Sequence, residues 1–407
     1  MEHQSFKAVL VVFGVLLVAA VGSSKALGES RYLGIRLLAK TSLFFLVLGA
    51  VIGPSGLELI DPFVLRQMGP IVVIGLGWIG FLYGSTLEFR SLRKFRSQLF
   101  WTAFGEALIT FFLIGLIFVV MSKIGLVDWD PVAYVLLAST AACTAPIQRL
   151  MGAPARGQMG ESVSLAHFCS RLDDFPGILA LGILFSMTPP QMGDSAAFSV
   201  FFWFSVQVIL GAVFGWVTDY LYHSIQTSKG ETDPGELTIV FFGMLCLSSG
   251  FAAYLSLSPL FVCVVSGMVF ANHSQHAESL AGSLAEKEHT VFVLFLLVSG
   301  CYWPIRGFSA WIPLLIYLLV RVVGKVGGSL FFQRVFLDDM SGKEGSKASE
   351  RFGLALIPQG GLAIAMVVSY LFTYTEQSAS WAINIVHFSV IVNDLIAPYL
   401  MTKIEEN

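Results

Sequence analysis

The chain has 407 residues, of which 56% are hydrophobic and 13% charged, and a formal net charge of −3. A soluble domain carries about 25% charged residues, so this is the composition of an all-α polytopic membrane protein whose first partner is the lipid bilayer. The small net charge and the lack of a long basic run exclude nucleic acid as a partner.

A hydropathy window of about 19 residues gives about 13 spans. In chain order they fall at residues 7–24, 33–53, 66–88, 97–122, 131–151, 160–187, 196–225, 236–256, 258–272, 286–304, 309–336, 350–374 and 380–403. No convincing small-residue cleavage site follows the first, so residues 7–24 are expected to be a retained helix. The cysteines (Cys143, Cys169, Cys246, Cys263 and Cys301) lie in or beside apolar segments without metal-ligand spacing and read as small core residues. The longest polar connections, SKGETDPGE at 228–236 and LDDMSGKEGSKASER at 337–351, leave no room for an appended soluble domain.

Basic residues orient the bundle. Loops after odd-numbered spans and the C-terminus carry Lys25, Arg31, Arg90, Arg93, Lys94, Arg96, Arg149, Arg156, Lys229, Lys287, Arg334, Lys343, Lys347, Arg351 and Lys403. The opposite side carries only Lys7, Arg66, Lys123 and Arg306. The positive-inside rule then puts the N-terminus outside and the C-terminus in the cytoplasm. Inside spans remain the bases Arg36, Lys40, Arg171, Arg321 and Lys325 and the acids Glu106, Asp173, Asp174 and Asp394.

Two features point to transport. LVLGAVIGP (46–54) in span 2 resembles VVSGMVFAN (264–272) in span 9, an offset of about 218 residues. Near the same offset, span 5 is interrupted at STAACTAP (139–146) and span 12 at IPQGG (357–361), while Glu106 answers Lys325 and Asp174 answers Asp394. Seven spans separate the copies, an odd number, so the second runs inverted. Two inverted repeats with a matched pair of broken helices mark a midplane site in a secondary transporter. The breaks are expected at Thr144, Pro146, Pro358, Gln359 and Gly360. If spans 5 and 12 cross there, Ser139, Thr140 and Thr144 offer hydroxyl oxygens beside Asp174, unless these hydroxyls back-bond to their own helix.

Residues 167–178, HFCSRLDDFPGI, place the charges of span 6 at membrane depth. A charge at the centre of a span costs roughly 2.5–3.5 kcal/mol on insertion scales, so such residues are functional candidates. Neighbouring carboxylates in a low-dielectric site oppose each other's ionisation, and a proton and a cation then compete for one charge. A lysine beside them is a second exchangeable proton.

These residues carry a resemblance. The stretches LGAVIGPSGLELI (48–60), GPIVVIGLGWIGFLYGSTLEFRSLRKF (69–95), RLDDFPGILALGIL (171–184), LSPLFVCVVSGMVFAN (257–272), VRVVGKVGGSL (320–330) and GLALIPQGGLAIAM (353–366) resemble the cation/proton antiporter superfamily, in its paired-aspartate branch of bacterial Na+/H+ antiporter-like proteins. The resemblance implies a homodimer in the bacterial inner membrane, and elevator-type exchange of a monovalent cation (Na+, or K+ or Li+) for protons; because Asp173, Asp174 and Lys325 together offer more than one exchangeable proton per cation site, the exchange is expected to be electrogenic. No cofactor is expected beyond the transported ions. It divides the chain into scaffold (1–96 and 236–306), transport core (97–190 and 307–407) and a linker helix (191–235). It also implies that Asp174 is the main carrier of cation and proton, and that Lys325 pairs with Asp173; Ser139 and Thr140 join Asp174 as ion-binding candidates from the reading of the break.

Several residues depart from the family pattern. His167, Arg171 and Asp174 share one helical stripe, so Arg171 either competes for Asp174 or snorkels to the cytoplasmic funnel. Asp394 is a partner for Arg171 or for Arg321, and Glu106 is a second partner for Lys325 or a funnel residue. His167, His273, His276 and His289 are candidate pH sensors or simply solvated residues. A sodium-coupled organic-anion carrier using Arg171, and an ion-conducting or sensing membrane component of a larger complex, are the competing readings. HxxxRxxD has no metal-ligand pattern and no nucleophile sits by a base, so no catalytic residue and no enzyme is expected.

Overall fold

The computed structural model describes residues 11, 14–15, 17–18, 43–93, 97–145, 168–187, 196–229, 234–274, 277–305, 310–336, 353–373 and 377–405. Among these residues all regular structure is helical. The principal helices are α1 (Leu43–Ile52), α2 (Gly69–Thr86), α3 (Ser97–Lys123), α4 (Pro131–Ala142), α5 (Asp174–Met187), α6 (Ala196–Lys229), α7 (Pro234–Tyr254), α8 (Pro259–His273), α9 (Ala277–Cys301), α10 (Trp311–Phe336), α11 (Gly361–Thr373) and α12 (Gln377–Glu405). They correspond to spans 2 to 13 of the sequence. Span 1 lies almost wholly outside the described residues.

One boundary moves substantially. Span 10 was placed from residue 286, whereas α9 begins at Ala277. A hydropathy window misses its first turns, AESLAGSLAEK, because they are polar on one face. Leu280 and Leu284, four residues apart, are buried and hold that stretch to the bundle.

Length and composition let α2, α3, α6, α7, α10 and α12 each cross a bilayer. Two short apolar helices have a specific cause. The 12 residues of α4 and the 13 of α11 rise only about 18 and 20 Å at 1.5 Å per residue, against a hydrocarbon core of about 30 Å. Asp130 caps α4 by accepting from the Val132 amide at 2.8 Å, with Pro131 at the first position. Its last turn gives way to non-helical chain at 143–145, extended at Cys143, and residues 357–360 are non-helical before α11.

Contacts divide the chain into two compact units, Met1–Thr86 with Pro189–Gly307, and Leu87–Thr188 with Phe308–Asn407. In the first, α8 packs on α2 and α6, and α1 on α9. These helices approach at backbone distance: a Cβ on Gly49 would land on the Leu297 carbonyl, and one on Gly300 on the Leu46 carbonyl. Membrane helices associate through such close van der Waals packing of small residues. Trp78, Phe81, Phe241 and Phe270 fill the core between them, with Phe81 and Phe241 edge to face at 4.8 Å.

In the second unit α3 packs along α10, α4 touches α3, α5, α11 and α12, and α11 packs on α12. Small residues again set the approach. Gly324 and Gly328 on α10 face Thr110 and Glu106 of α3, and a Cβ on Gly177 of α5 would meet the Ser139 carbonyl of α4. Lys325 is thereby drawn towards α3, and Asp174 towards the end of α4.

Candidate functional site

The interruptions after α4 and before α11 meet inside the second unit. The Ala145 amide donates to the Pro358 carbonyl at 2.8 Å, and Gln359 Nε2 donates to the Thr140 carbonyl at 2.8 Å. Irregular backbone at membrane depth is tolerated only where protein satisfies it, and here the supply of donors is complete. A helix end leaves about four carbonyls without an intrahelical partner. At the end of α4, the Ser139 carbonyl faces the Cys143 thiol at 3.6 Å, Thr140 takes Gln359, Ala141 takes Arg321 Nε at 3.1 Å, Ala142 takes Lys325 Nζ, and Cys143 takes Arg321 Nη2 at 2.7 Å. Arg321 Nη1 also donates to the Ile357 carbonyl, so one guanidinium spans both breaks. Two cations at a helix C-terminus also complement its dipole.

Next to this crossing lies a buried cluster of charge. Glu106, Asp173 and Lys325 are 0% exposed, Arg321 1% and Asp174 3%, so each must be met by protein. Lys325 Nζ pairs with Asp173 Oδ2 at 2.9 Å and with Glu106 Oε1 at 3.3 Å. Thr144 joins the paired aspartates: its hydroxyl donates to Asp173 Oδ2 and sits 3.2 Å from the Leu356 carbonyl, while its amide donates to Asp174 Oδ1 at 3.0 Å. The two carboxylates therefore face different neighbours. Asp173 is the turn residue between helical residues 168–172 and α5, and it points to α10; Asp174 opens α5 and points to the break.

Of the hydroxyls that the sequence offered to Asp174, Ser139 and Thr140 are used otherwise. Ser139 Oγ donates to the Val135 carbonyl at 2.8 Å and Thr140 Oγ1 to that of Leu137 at 3.0 Å, so both back-bond to α4. Arg321 was weighed as a partner for Asp394; its guanidinium goes to three main-chain carbonyls instead. Arg171 and Asp394 are each half-buried. His273 is exposed in the first unit, with Nδ1 2.7 Å from Asp219 Oδ2, and His289 is exposed. Pro146, His167 and His276, with Arg36 and Lys40, lie outside the described residues.

Sequence reasoning missed a polar relay around Gln359. Its Nε2 also donates to the Tyr317 hydroxyl at 3.0 Å, which lies 3.2 Å from Thr140 Oγ1. Since Gln359 donates to Tyr317 and Thr140 donates to Leu137, the Tyr317 hydroxyl donates to Thr140. Gln359 Oε1 accepts from Ser389 Oγ at 2.8 Å, and Asn393 Nδ2 donates to Ser389 at 3.1 Å. A signal existed: Tyr317, Arg321 and Lys325, like Ser389 and Asn393, recur every four residues and so share a helix face.

A family model described as the sodium/hydrogen exchanger, transmembrane, matches residues 16–403. The chain belongs to the sodium/hydrogen exchanger family. It is a multi-pass membrane protein of the cation/proton antiporter superfamily, and the family's activity is transport rather than enzymatic chemistry. The exchanger is similar in structure to the sodium proton antiporter MjNhaP1 from Methanocaldococcus jannaschii at pH 8, with a TM-score of 0.66 and 16% sequence identity over 98% of this chain and 100% of that one. At that identity the likeness establishes the fold. No curated protein matches the chain.

Proposed function

We propose that this exchanger moves a monovalent cation, Na+ in the first place, against protons, with Asp174 as the carboxylate that binds one or the other. The observation that carries this is Asp174 itself: a buried carboxylate at the start of α5, aimed at the crossing of two interrupted helices and held by the Thr144 amide at 3.0 Å. The site offers an ion oxygen and charge, and a buried bare carboxylate is costly until a proton or cation fills it. Asp173 and Lys325 stand beside it as a second place for a proton. Exchange of more than one proton per cation is then electrogenic.

The movement we propose is of elevator type. The second unit, which contains the whole crossing, is the transport core, and the first, with its glycine-mediated helix contacts, is the scaffold through which two copies pair as a homodimer. The location is a bacterial inner membrane, with the N-terminus outside and the C-terminus cytoplasmic, supported by the distribution of Lys and Arg. Proteoliposomes reporting internal pH, pulsed in turn with sodium, potassium, lithium and choline salts, test the proposal. Cation-dependent proton movement with Na+ and none with choline is the expected result. Proton movement that follows an organic anion and ignores the cation would overturn it.

A further inference from the structure

Lys325 has two carboxylate partners, and one alone would suffice to offset its charge. Asp173 holds it at 2.9 Å from α5's leading turn and Glu106 at 3.3 Å from α3. Glu106 is set in place deliberately: Oε1 also lies 3.3 Å from Thr110 Oγ1, and Gly324 and Gly328, flanking Lys325, let α3 come close enough for the contact. The two acids each keep one oxygen in reserve. Asp173 Oδ2 takes Lys325 and the Thr144 hydroxyl, whereas Asp173 Oδ1 is buried without a hydrogen-bond partner. Glu106 Oε1 takes Lys325, whereas Glu106 Oε2 is buried without one. Leaving one such oxygen unsatisfied is costly and two at one lysine is unusual.

An unpartnered carboxylate oxygen is where a proton can be added without breaking an existing bond. A protonated Asp173, however, no longer offsets Lys325, and a stranded buried ammonium is among the most destabilising defects a core can carry. Resting on the antiport reading above, we propose that Glu106 is a positioning residue that holds Lys325 while Asp173 is protonated, so that Asp173 carries the second proton of the exchange. In one state the ammonium is shared. In the other Asp173 Oδ1 bears the proton and Glu106, with its second oxygen free, takes the ammonium. Lys325 stays charged throughout. The charged and titratable groups around Asp173 are Lys325 and Arg321 from α10, Glu106 from α3, Cys143 from the end of α4, and Asp174 and Cys169 from its own stretch.

The test has two arms. In the first, Glu106→Gln is compared with wild type and with Glu106→Asp in proteoliposomes under an imposed potential. Without Glu106, Asp173 is pinned as the sole counter-ion of Lys325, so Glu106→Gln should exchange one proton per cation and lose its response to voltage, and Glu106→Asp should regain it. Persistence of the wild-type voltage response in Glu106→Gln overturns the proposal. The second arm needs no transport: Asp173→Asn is made with and without Glu106→Gln and melting temperatures are compared in detergent. A double mutant that loses more than the sum of the two single losses supports the shared ammonium, and strict additivity overturns it. A wild type that exchanges no cation for protons would sink the antiport reading, and the thermal arm would still decide the role of Glu106.

Discussion

Ala145 and Pro358 are joined main chain to main chain by a 2.8 Å hydrogen bond between two helix interruptions that are 213 residues apart in the sequence. Neither residue offers a side chain to this bond, so among substitutions only Ala145→Pro, which removes the donor N–H, breaks it directly. The second tie, from Gln359 to the Thr140 carbonyl, is open to mutation. Gln359→Leu takes one donor from the Thr140 carbonyl, which keeps the Cys143 amide at 3.2 Å, and leaves the Ser389 hydroxyl without its acceptor; a buried orphan costs about 1–3 kcal/mol. A clear fall in melting temperature and slower exchange are expected. A melting curve identical to wild type would show that the relay does not hold the crossing.

The aspartates should separate by phenotype. Asp174→Asn keeps the Thr144 amide contact with its amide oxygen but removes the exchangeable charge, so cation-dependent proton movement should vanish with little loss of stability. Asp173→Asn weakens the hold on Lys325 and should lower stability while sparing some transport. Removing one partner from a buried pair costs about 3–5 kcal/mol, and Glu106 should reduce that figure. Thermal melts and proton flux on the same preparations decide it; equal loss of transport with unchanged melting in both would refute separate roles.

Arg321 should resist even conservative change. Its fork reaches the Ala141, Cys143 and Ile357 carbonyls at once, and a lysine ammonium lacks that planar spread. Charged hydrogen bonds contribute about 1.5–3 kcal/mol each. Arg321→Lys is therefore expected to lower the melting temperature and to loosen both breaks, seen as faster amide exchange at residues 141–145 and 353–357. Wild-type protection there would refute the clamp.

Voltage should drive turnover. One net charge moved across the membrane corresponds to about 2.3 kcal/mol per 100 mV. An inside-negative potential set with potassium and valinomycin should accelerate proton uptake coupled to sodium efflux, and collapsing it should slow that uptake. A rate indifferent to potential, in vesicles with plain exchange, would make the transport electroneutral.

Arg171 and Asp394 provide a paired test. If Asp394 keeps the guanidinium away from Asp174, then Asp394→Asn alone should be severely damaging and adding Arg171→Gln should restore both stability and exchange. A double mutant no better than Asp394→Asn rules the pairing out.

Much of this architecture is written in the sequence, and what is not has a physical reason. Helix positions follow from apolar length, so α10 at Trp311–Phe336 lies within two residues of the span read at 309–336. The breaks announce themselves through Pro358 and the Gly360–Gly361 pair, which cannot propagate a helix cheaply. The meeting of Lys325 with Asp173 came through the family resemblance. Side-chain direction did not come through at all: Ser139 and Thr140 have a carbonyl of their own helix within reach, and which acceptor wins is decided by local geometry. Arg321 was sought a carboxylate because a pattern of side chains displays carboxylates, while the carbonyls it binds belong to every sequence alike. Gln359 needs the crossing itself before its five-residue relay exists.

The satisfied end of α4 has a consequence for how an ion is recognised. With the carbonyls of Ser139 to Cys143 already met by Gln359, Arg321, Lys325 and the Cys143 thiol, the negative pole of that helix is silenced, and an arriving cation finds no standing field there. On the proposed reading, what draws it is the charge of Asp174. With Asp174 and Asp173 each giving up a proton to one cation, apparent cation affinity should fall by up to a hundredfold for each tenfold rise in proton concentration once pH is below both midpoints. A titration of cation binding against pH that never exceeds a tenfold loss per unit would mean that Asp174 decides alone and that Asp173 keeps its proton.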